Sequence, residues 1–132
     1  MNTLILWLTP VVGVIALVFA WILAASVMKQ DAGNDRMKEI AAAISEGAMA
    51  FLRREYRTLS IFIVSLFAII LWKLDIQTAM SFLVGALCSM LAGYIGMSVA
   101  TKANVRTAAA AMRGQNAALG VAFSGGAVMG MS

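Results

Sequence analysis

The chain has no histidine, one cysteine and one proline in 132 residues, and only 12% of its side chains are charged. Each shortage excludes something. Without histidine, the commonest metal ligand and the commonest general base near neutral pH are missing. Cys88 stands alone in an apolar run, so no internal disulfide can form, and it reads as a small packing residue. A soluble domain carries about 25% charged residues. A chain that is 62% hydrophobic with so little charge is not a water-soluble globule. The net charge of +4 does not mark a nucleic-acid binder either, because the basic residues are bunched into short segments instead of lining an exposed face.

What the chain does have is long uncharged tracts, and these predict an all-α polytopic transmembrane helix bundle. Residues 4–28 carry no charge and exceed the roughly 20 residues that cross a bilayer. Thr9-Pro10 suggests an N-cap and first helical turn, with the main span from Pro10 to Met28 and a kinked or frayed lead-in before it. No basic residue precedes Lys29, so the segment reads as a retained anchor and not a secretory signal. Lys29 to Gly33 reads as a turn, with Asn34 as the N-cap of a helix over 34–57. There Met37, Ile40, Ala41, Ile44, Ala48, Phe51 and Leu52 recur at helical spacing, with most charges off that stripe. Nothing breaks the pattern before the second span, 58–72, so one long helix is expected to enter the membrane near Tyr56. Lys73 to Asp75 is a tight turn, and 76–100 is the third span, its helix continuing through Ala111 until Gly114-Gln115-Asn116 interrupts it. Residues 121–132 read as the start of a fourth span. They stop short of a crossing, so the expectation is the front part of one membrane domain in a longer protein.

Basic residues favour the cytoplasmic side. Residues 29–57 hold Lys29, Arg36, Lys38, Arg53, Arg54 and Arg57, and residues 101–118 hold Lys102, Arg106 and Arg113, whereas the turn after the second span holds only Lys73. The two richer segments are therefore expected in the cytoplasm and the N-terminus outside. Gly85, Ser89 and Gly93 form one small-residue row, and Ala92, Gly96 and Ala100 a second, which lets neighbouring helices approach closely. Gly47, after Glu46, reads as another close-packing point. Lys102 and Arg106 share a helix face beside Asn104; they read as positive-inside anchoring, with contact to an anionic substrate or lipid headgroup as the functional alternative. Ser124-Gly125-Gly126 lacks the Lys-Ser/Thr of a phosphate-binding loop and reads as a packed helix start. The ten Met suit lipid-facing and gap-filling roles. The spans contain no interior charge to relay an ion or proton. No residue of the chain is assigned a catalytic, cofactor-binding or metal-binding role.

The motifs fall in a familiar order. Arg36-Met37-Lys38-Glu39-Ile40 precedes Glu46-Gly47-Ala48-x-Ala50-Phe51-Leu52-x-Arg54-Glu55-Tyr56-x-Thr58. Ala92-Gly93-Tyr94-Ile95-Gly96-Met97 and Thr101-Lys102-Ala103-Asn104-Val105-Arg106 follow, then Ala122-Phe123-x-x-Gly126-Ala127-Val128-x-Gly130-Met131. The chain resembles the N-terminal part of a membrane-integral, ion-pumping inorganic pyrophosphatase, over essentially its whole length. The resemblance implies a multi-helix homodimer, in a prokaryotic inner membrane, that hydrolyses pyrophosphate at a cytoplasmic Mg²⁺ cluster and pumps H⁺ or Na⁺ outward, some members needing K⁺. The family's Asp-rich motifs, substrate lysines and ion gate match no position here. The expectation is therefore a scaffold segment that is inactive alone, with the lipid bilayer and the rest of the polypeptide as its partners. The alternative is a small, non-enzymatic accessory or assembly protein acting through its small-residue helix faces.

Overall fold

The computed structural model describes the backbone of residues 3–132 and the side chains of residues 7–132. Four helices follow one another: α1 Thr3–Met28, α2 Asp35–Lys73, α3 Ile76–Ala111 and α4 Gln115–Met131. Among the described residues there is no strand. The fold is all-α. Three of the helices, α1, α2 and α3, are long and apolar enough to cross a membrane.

Local chemistry sets most helix ends. The Asn34 side chain accepts a 2.9 Å bond from the Met37 amide, and Asp35 lies in the first turn of α2. Asp75 caps α3 in the same way, accepting from the Thr78 amide and the Thr78 hydroxyl, both at 2.8 Å. Gly33 has φ +78°, a left-handed conformation, and a Cβ there would meet the Met37 thioether and the Ala109 methyl. At about 1.5 Å per residue, the 39-residue α2 is about 58 Å long and the 36-residue α3 about 54 Å. Both exceed the roughly 30 Å of bilayer hydrocarbon, so each extends well beyond any membrane it crosses.

Three expectations are corrected. α1 runs unbroken from Thr3 through Pro10, so Thr9 lies inside the helix and is not its N-cap. An early proline removes one backbone donor without ending a helix whose neighbouring turns are intact. α4 starts at Gln115 after a turn over Met112 to Gly114, so Ser124-Gly125-Gly126 is mid-helix and not a helix start. Gly47 has nothing within 4 Å of a Cβ position, and neither does Gly85, so neither is a close-packing point in this chain.

The helices form an ordered stack. α3 packs against α2 on one side and α4 on the other, and α1 lies mainly against α4 with a smaller contact to α3. Among the described residues α2 touches neither α1 nor α4. The two small-residue rows of α3 divide this work. Gly93 faces α2, where a Cβ would come within 2.9 Å of the Tyr56 hydroxyl; Gly96 faces α4, where it would come within 2.8 Å of Met129. Further along α3, Ala103 joins Val27 of α1 and Val121 of α4 in the buried core, and its methyl leaves room only for glycine at Gly125.

Candidate functional site

The helix end richest in polar contacts is where α1 stops and α3 runs on. α1 has no basic residue in its last turn, yet its final carbonyls need donors. Arg106 of α3 supplies them. Its Nε donates to the Gln30 carbonyl at 3.1 Å and its Nη2 to the Met28 carbonyl at 3.5 Å, while Nη1 donates to the Lys102 carbonyl at 2.9 Å. Arg113 adds a 3.4 Å bond from Nη2 to the Gln30 side-chain oxygen. A cation over a helix C-terminus is favourable, so Arg106 caps the end of α1 from a neighbouring helix. Lys102 and Asn104 stay exposed, so the pair expected to act from one face divides its labour.

Two grooves open beside this end. Met37, Ile40 and Ile44 of α2 face Thr101, Val105 and Ala108 of α3 across an apolar groove of about 320 Å³. The Thr101 hydroxyl is occupied by the Met97 and Ser98 carbonyls of its own helix and offers the groove little. The expected apolar stripe of α2 therefore splits. Met37, Ala41, Ala48 and Leu52 turn toward α3, while Ile40, Ile44 and Phe51 remain exposed. A second, more polar cleft of about 380 Å³ lies between α1 and α4, lined by Ser26, Gln30, Arg113, Asn116 and Ser124.

About four turns along α3 from this end is a level marked by aromatic residues. The Tyr56 hydroxyl of α2 donates to the Met90 carbonyl of α3, with Gly93 beside it. Tyr56 and Tyr94 share a cleft of about 350 Å³ with Met49, Leu52 and Arg53. On the other flank, Trp21 of α1 lines a cavity with Leu91, Ala92 and Ile95. Trp21, Tyr56 and Tyr94 thus lie within about a turn of one level on α3. Trp7 is fourteen residues before Trp21 and Trp72 sixteen beyond Tyr56, which sets a second aromatic level about 21 to 24 Å away at helical rise. Trp7, Trp21 and Trp72 are 73%, 78% and 79% exposed, so these rings face outward from the bundle. The Lys73 ammonium lies 4.3 Å from the Trp72 ring centre. The exposed arginines Arg53, Arg54 and Arg57 sit at the Tyr56 level, and among the described residues none of them has an ion pair or a side-chain hydrogen bond.

The acids do not gather. Arg36 and Glu39 pair at 2.7 Å and Lys38 and Asp35 at 3.4 Å on the exposed face of α2, while Asp75 is used as a cap. Among the described residues no three His, Cys, Asp or Glu side chains come together as a metal would need. Mg²⁺ takes several oxygens from carboxylates and phosphates, so the donor set of these residues does not fit such a site. Cys88 is exposed, contrary to its reading as a packed residue.

Sequence reasoning missed the Arg106 cap and the Tyr56 bond. One signal for the first was available, namely a helix end at Met28 with no basic residue in its last turn.

A profile of the family described as inorganic H⁺ pyrophosphatase matches residues 14–132. The chain is 57% identical over 119 residues to a putative K⁺-stimulated pyrophosphate-energized sodium pump of Clostridium tetani, a match covering 90% of the chain and 18% of the relative. It is 49% identical over 130 residues to a K⁺-insensitive pyrophosphate-energized proton pump of Methanosarcina mazei, covering 97% and 19%. It is also 49% identical over 125 residues to a K⁺-insensitive pyrophosphate-energized proton pump of Moorella thermoacetica, covering 93% and 18%. The chain spans about a fifth of the length of these relatives.

Proposed function

Because this chain belongs to the inorganic H⁺ pyrophosphatase family, we propose that it builds supporting helices of a pyrophosphate-energised pump that moves H⁺ or Na⁺ outward. The observation that carries this reading is how the segment uses its polar groups. Acids are paired, capping or single, and the half-buried Arg106 and Tyr56 bonds tie α3 to its neighbours. Pyrophosphate hydrolysis, its Mg²⁺, any K⁺ requirement and the ion path then belong to other residues of the pump, and the homodimer contact with them.

The two aromatic levels supply a membrane placement. Tryptophan and tyrosine favour the bilayer interfaces, so Trp7 and Trp72 mark the outer boundary and Trp21, Tyr56 and Tyr94 the inner one. The basic segments 29–57 and 101–118 then face the cytoplasm, and the Arg106 end of the bundle projects into it beyond the lipid. This replaces the expected spans 4–28 and 76–100 with shorter crossings on α1 and α3. Tyr56 opposite Met90 supports that change, because α2 and α3 must leave the bilayer at one level.

A chimera tests the assignment. The matching segment of the Clostridium tetani pump is replaced by residues 14–132 of this protein. Mg²⁺-dependent phosphate release from pyrophosphate should persist in membranes carrying the chimera and be absent from membranes carrying residues 1–132 alone. Clear turnover by residues 1–132 alone, or a membrane-inserted, folded chimera with no hydrolysis, overturns the supporting role.

A further inference from the structure

We infer that Arg53, Arg54 and Arg57 form a headgroup site for an anionic phospholipid beside the Tyr56–Tyr94 cleft. The inference rests on the membrane placement proposed above. At 100° per residue, the three side chains fan over an arc of about 100°, with Arg57 between Arg53 and Arg54. Leu52 and Tyr56 lie beyond the Arg53 edge of that arc, turned toward α3, so Arg53 lines the cleft, with Arg57 about 40° and Arg54 about 100° further round the helix. Glu55 projects from the far side of the helix. Glu46 shares the face of Arg53 but stands two turns nearer the cytoplasm. Among the described residues, three exposed cations without an anionic partner therefore stand together on α2, and Arg53 among them lines a cleft of about 350 Å³ floored by Met49 and Leu52 and walled by Tyr94.

That combination fits a lipid better than a free anion. A phosphodiester takes the forked, charge-assisted bonds that guanidinium groups make. The glycerol and upper acyl segment take the cleft, and tyrosines at headgroup level fix the depth. The spacing between the aromatic levels, about 21 to 24 Å by helical rise, is shorter than the average hydrocarbon thickness. A short crossing draws the bilayer inward and flanking side chains outward, which brings headgroups to the arginines. Arg106, by contrast, is half-buried and directed onto the carbonyls at the end of α1 and onto its own helix.

The test uses the full-length protein in nanodiscs of mixed phosphatidylglycerol and phosphatidylcholine, with tightly bound lipid measured by native mass spectrometry. The wild type should retain the anionic lipid over the zwitterionic one by roughly tenfold, since each basic residue near an anionic surface contributes several-fold. R53Q/R54Q/R57Q should bring that ratio to within about twofold of unity, whereas R36Q/K38Q, on the projecting part of α2, should leave it unchanged. The wild-type ratio should also fall with added salt, which needs no variant to fold. No preference in the wild type, or a triple variant that retains lipid as the wild type does, overturns the site. Displacement of the lipid by millimolar inorganic phosphate identifies a soluble anion as the ligand and also overturns it. Quenching of Trp21 by brominated lipids tests the membrane placement separately, because it reads depth whether or not a headgroup is held.

Discussion

Replacing Arg106 with glutamine should loosen the end of α1 without loosening the rest of the bundle. The size of the effect follows from its contacts. The Nε bond to the Gln30 carbonyl at 3.1 Å is a good charge-assisted hydrogen bond, a type worth about 1.5–3 kcal/mol. The Met28 contact at 3.5 Å is at the limit and adds little. The Lys102 carbonyl belongs to α3 itself and holds the guanidinium in place without joining helices. A cation at a helix C-terminus adds about 0.3–1 kcal/mol. Arg106 is half-buried, so water replaces part of what is lost, and a net cost of about 2 kcal/mol remains. Two amides report it: Lys29 N–H bonds to the Ala25 carbonyl and Gln30 N–H to the Val27 carbonyl, closing the last turn of α1. Hydrogen exchange at these amides in the full-length protein should accelerate about 30-fold. R106K, which keeps the charge but not the fork, should accelerate it by only about fivefold. The Leu74 amide, bonded to Ile70 at the opposite end of the bundle, should not change. Unaltered exchange at Lys29 and Gln30, or equal acceleration at Leu74, would refute the cap.

The glycines of α3 should separate by position. Gly96→Ala forces a methyl onto Met129 and should cost about 1–3 kcal/mol in thermal unfolding of the full-length protein. Gly85→Ala meets nothing in this chain and should be neutral or gain about 0.5–1 kcal/mol from helix propensity; a large loss there would reveal a neighbour outside the chain. Bonds from the Thr78 amide and hydroxyl hold the Asp75 carboxyl below the usual carboxylate range. A lowered folded value means the cap contributes above the unfolded pKa of about 3.9 and is lost as pH falls through the folded value. Thr78→Ala should therefore move the carboxyl titration, followed by NMR, to higher pH, and an unmoved titration would dismiss the hydroxyl's part. Tyr56→Phe removes the donor to the Met90 carbonyl and should cost about 1 kcal/mol, seen as faster exchange where α2 meets α3 but not at the Arg106 end.

The sequence is most legible where one segment settles its own conformation. Asn34 can be read as a cap because the capping oxygen and the amide it accepts are three residues apart; Asp75, read only as part of a turn, has the same spacing to the Thr78 amide. The unbroken α2 can be read because nothing between Phe51 and Leu59 interrupts a helix. Contacts between distant segments are not legible. Gly85 and Gly93 look alike as neighbours in one small-residue row, yet only Gly93 meets another helix, and that depends on where Tyr56 falls on α2. Arg106 and Gln30 are 76 residues apart, and no local pattern joins them. The arginines of α2 speak to topology by their number alone, and the role proposed for them draws on the register of α2 on α3.

The membrane placement proposed above draws the spans in from the expected boundaries, and a related reason supports it. A lack of charge suggests lipid, but a helix surface also loses its charges when other helices cover it. Val27 is nearly fully buried, and Ala103 and Ala110 lie with it in the core formed with Val121 of α4. These residues sit at the level where Arg106 reaches the end of α1, well beyond Tyr56 and Trp21. They are uncharged because they face one another, so their composition says nothing about the bilayer. Among the described residues no helix covers the side of α2 away from α3 at that level, and α2 keeps charges there, from Asp35 and Arg36 to Arg54. In a bundle that outruns its membrane, the least covered helix therefore records the lipid boundary most faithfully. In the placement proposed above, the change on α2 from Arg57 to the uncharged tract after it therefore marks the inner edge, and Lys29 and Lys102 do not.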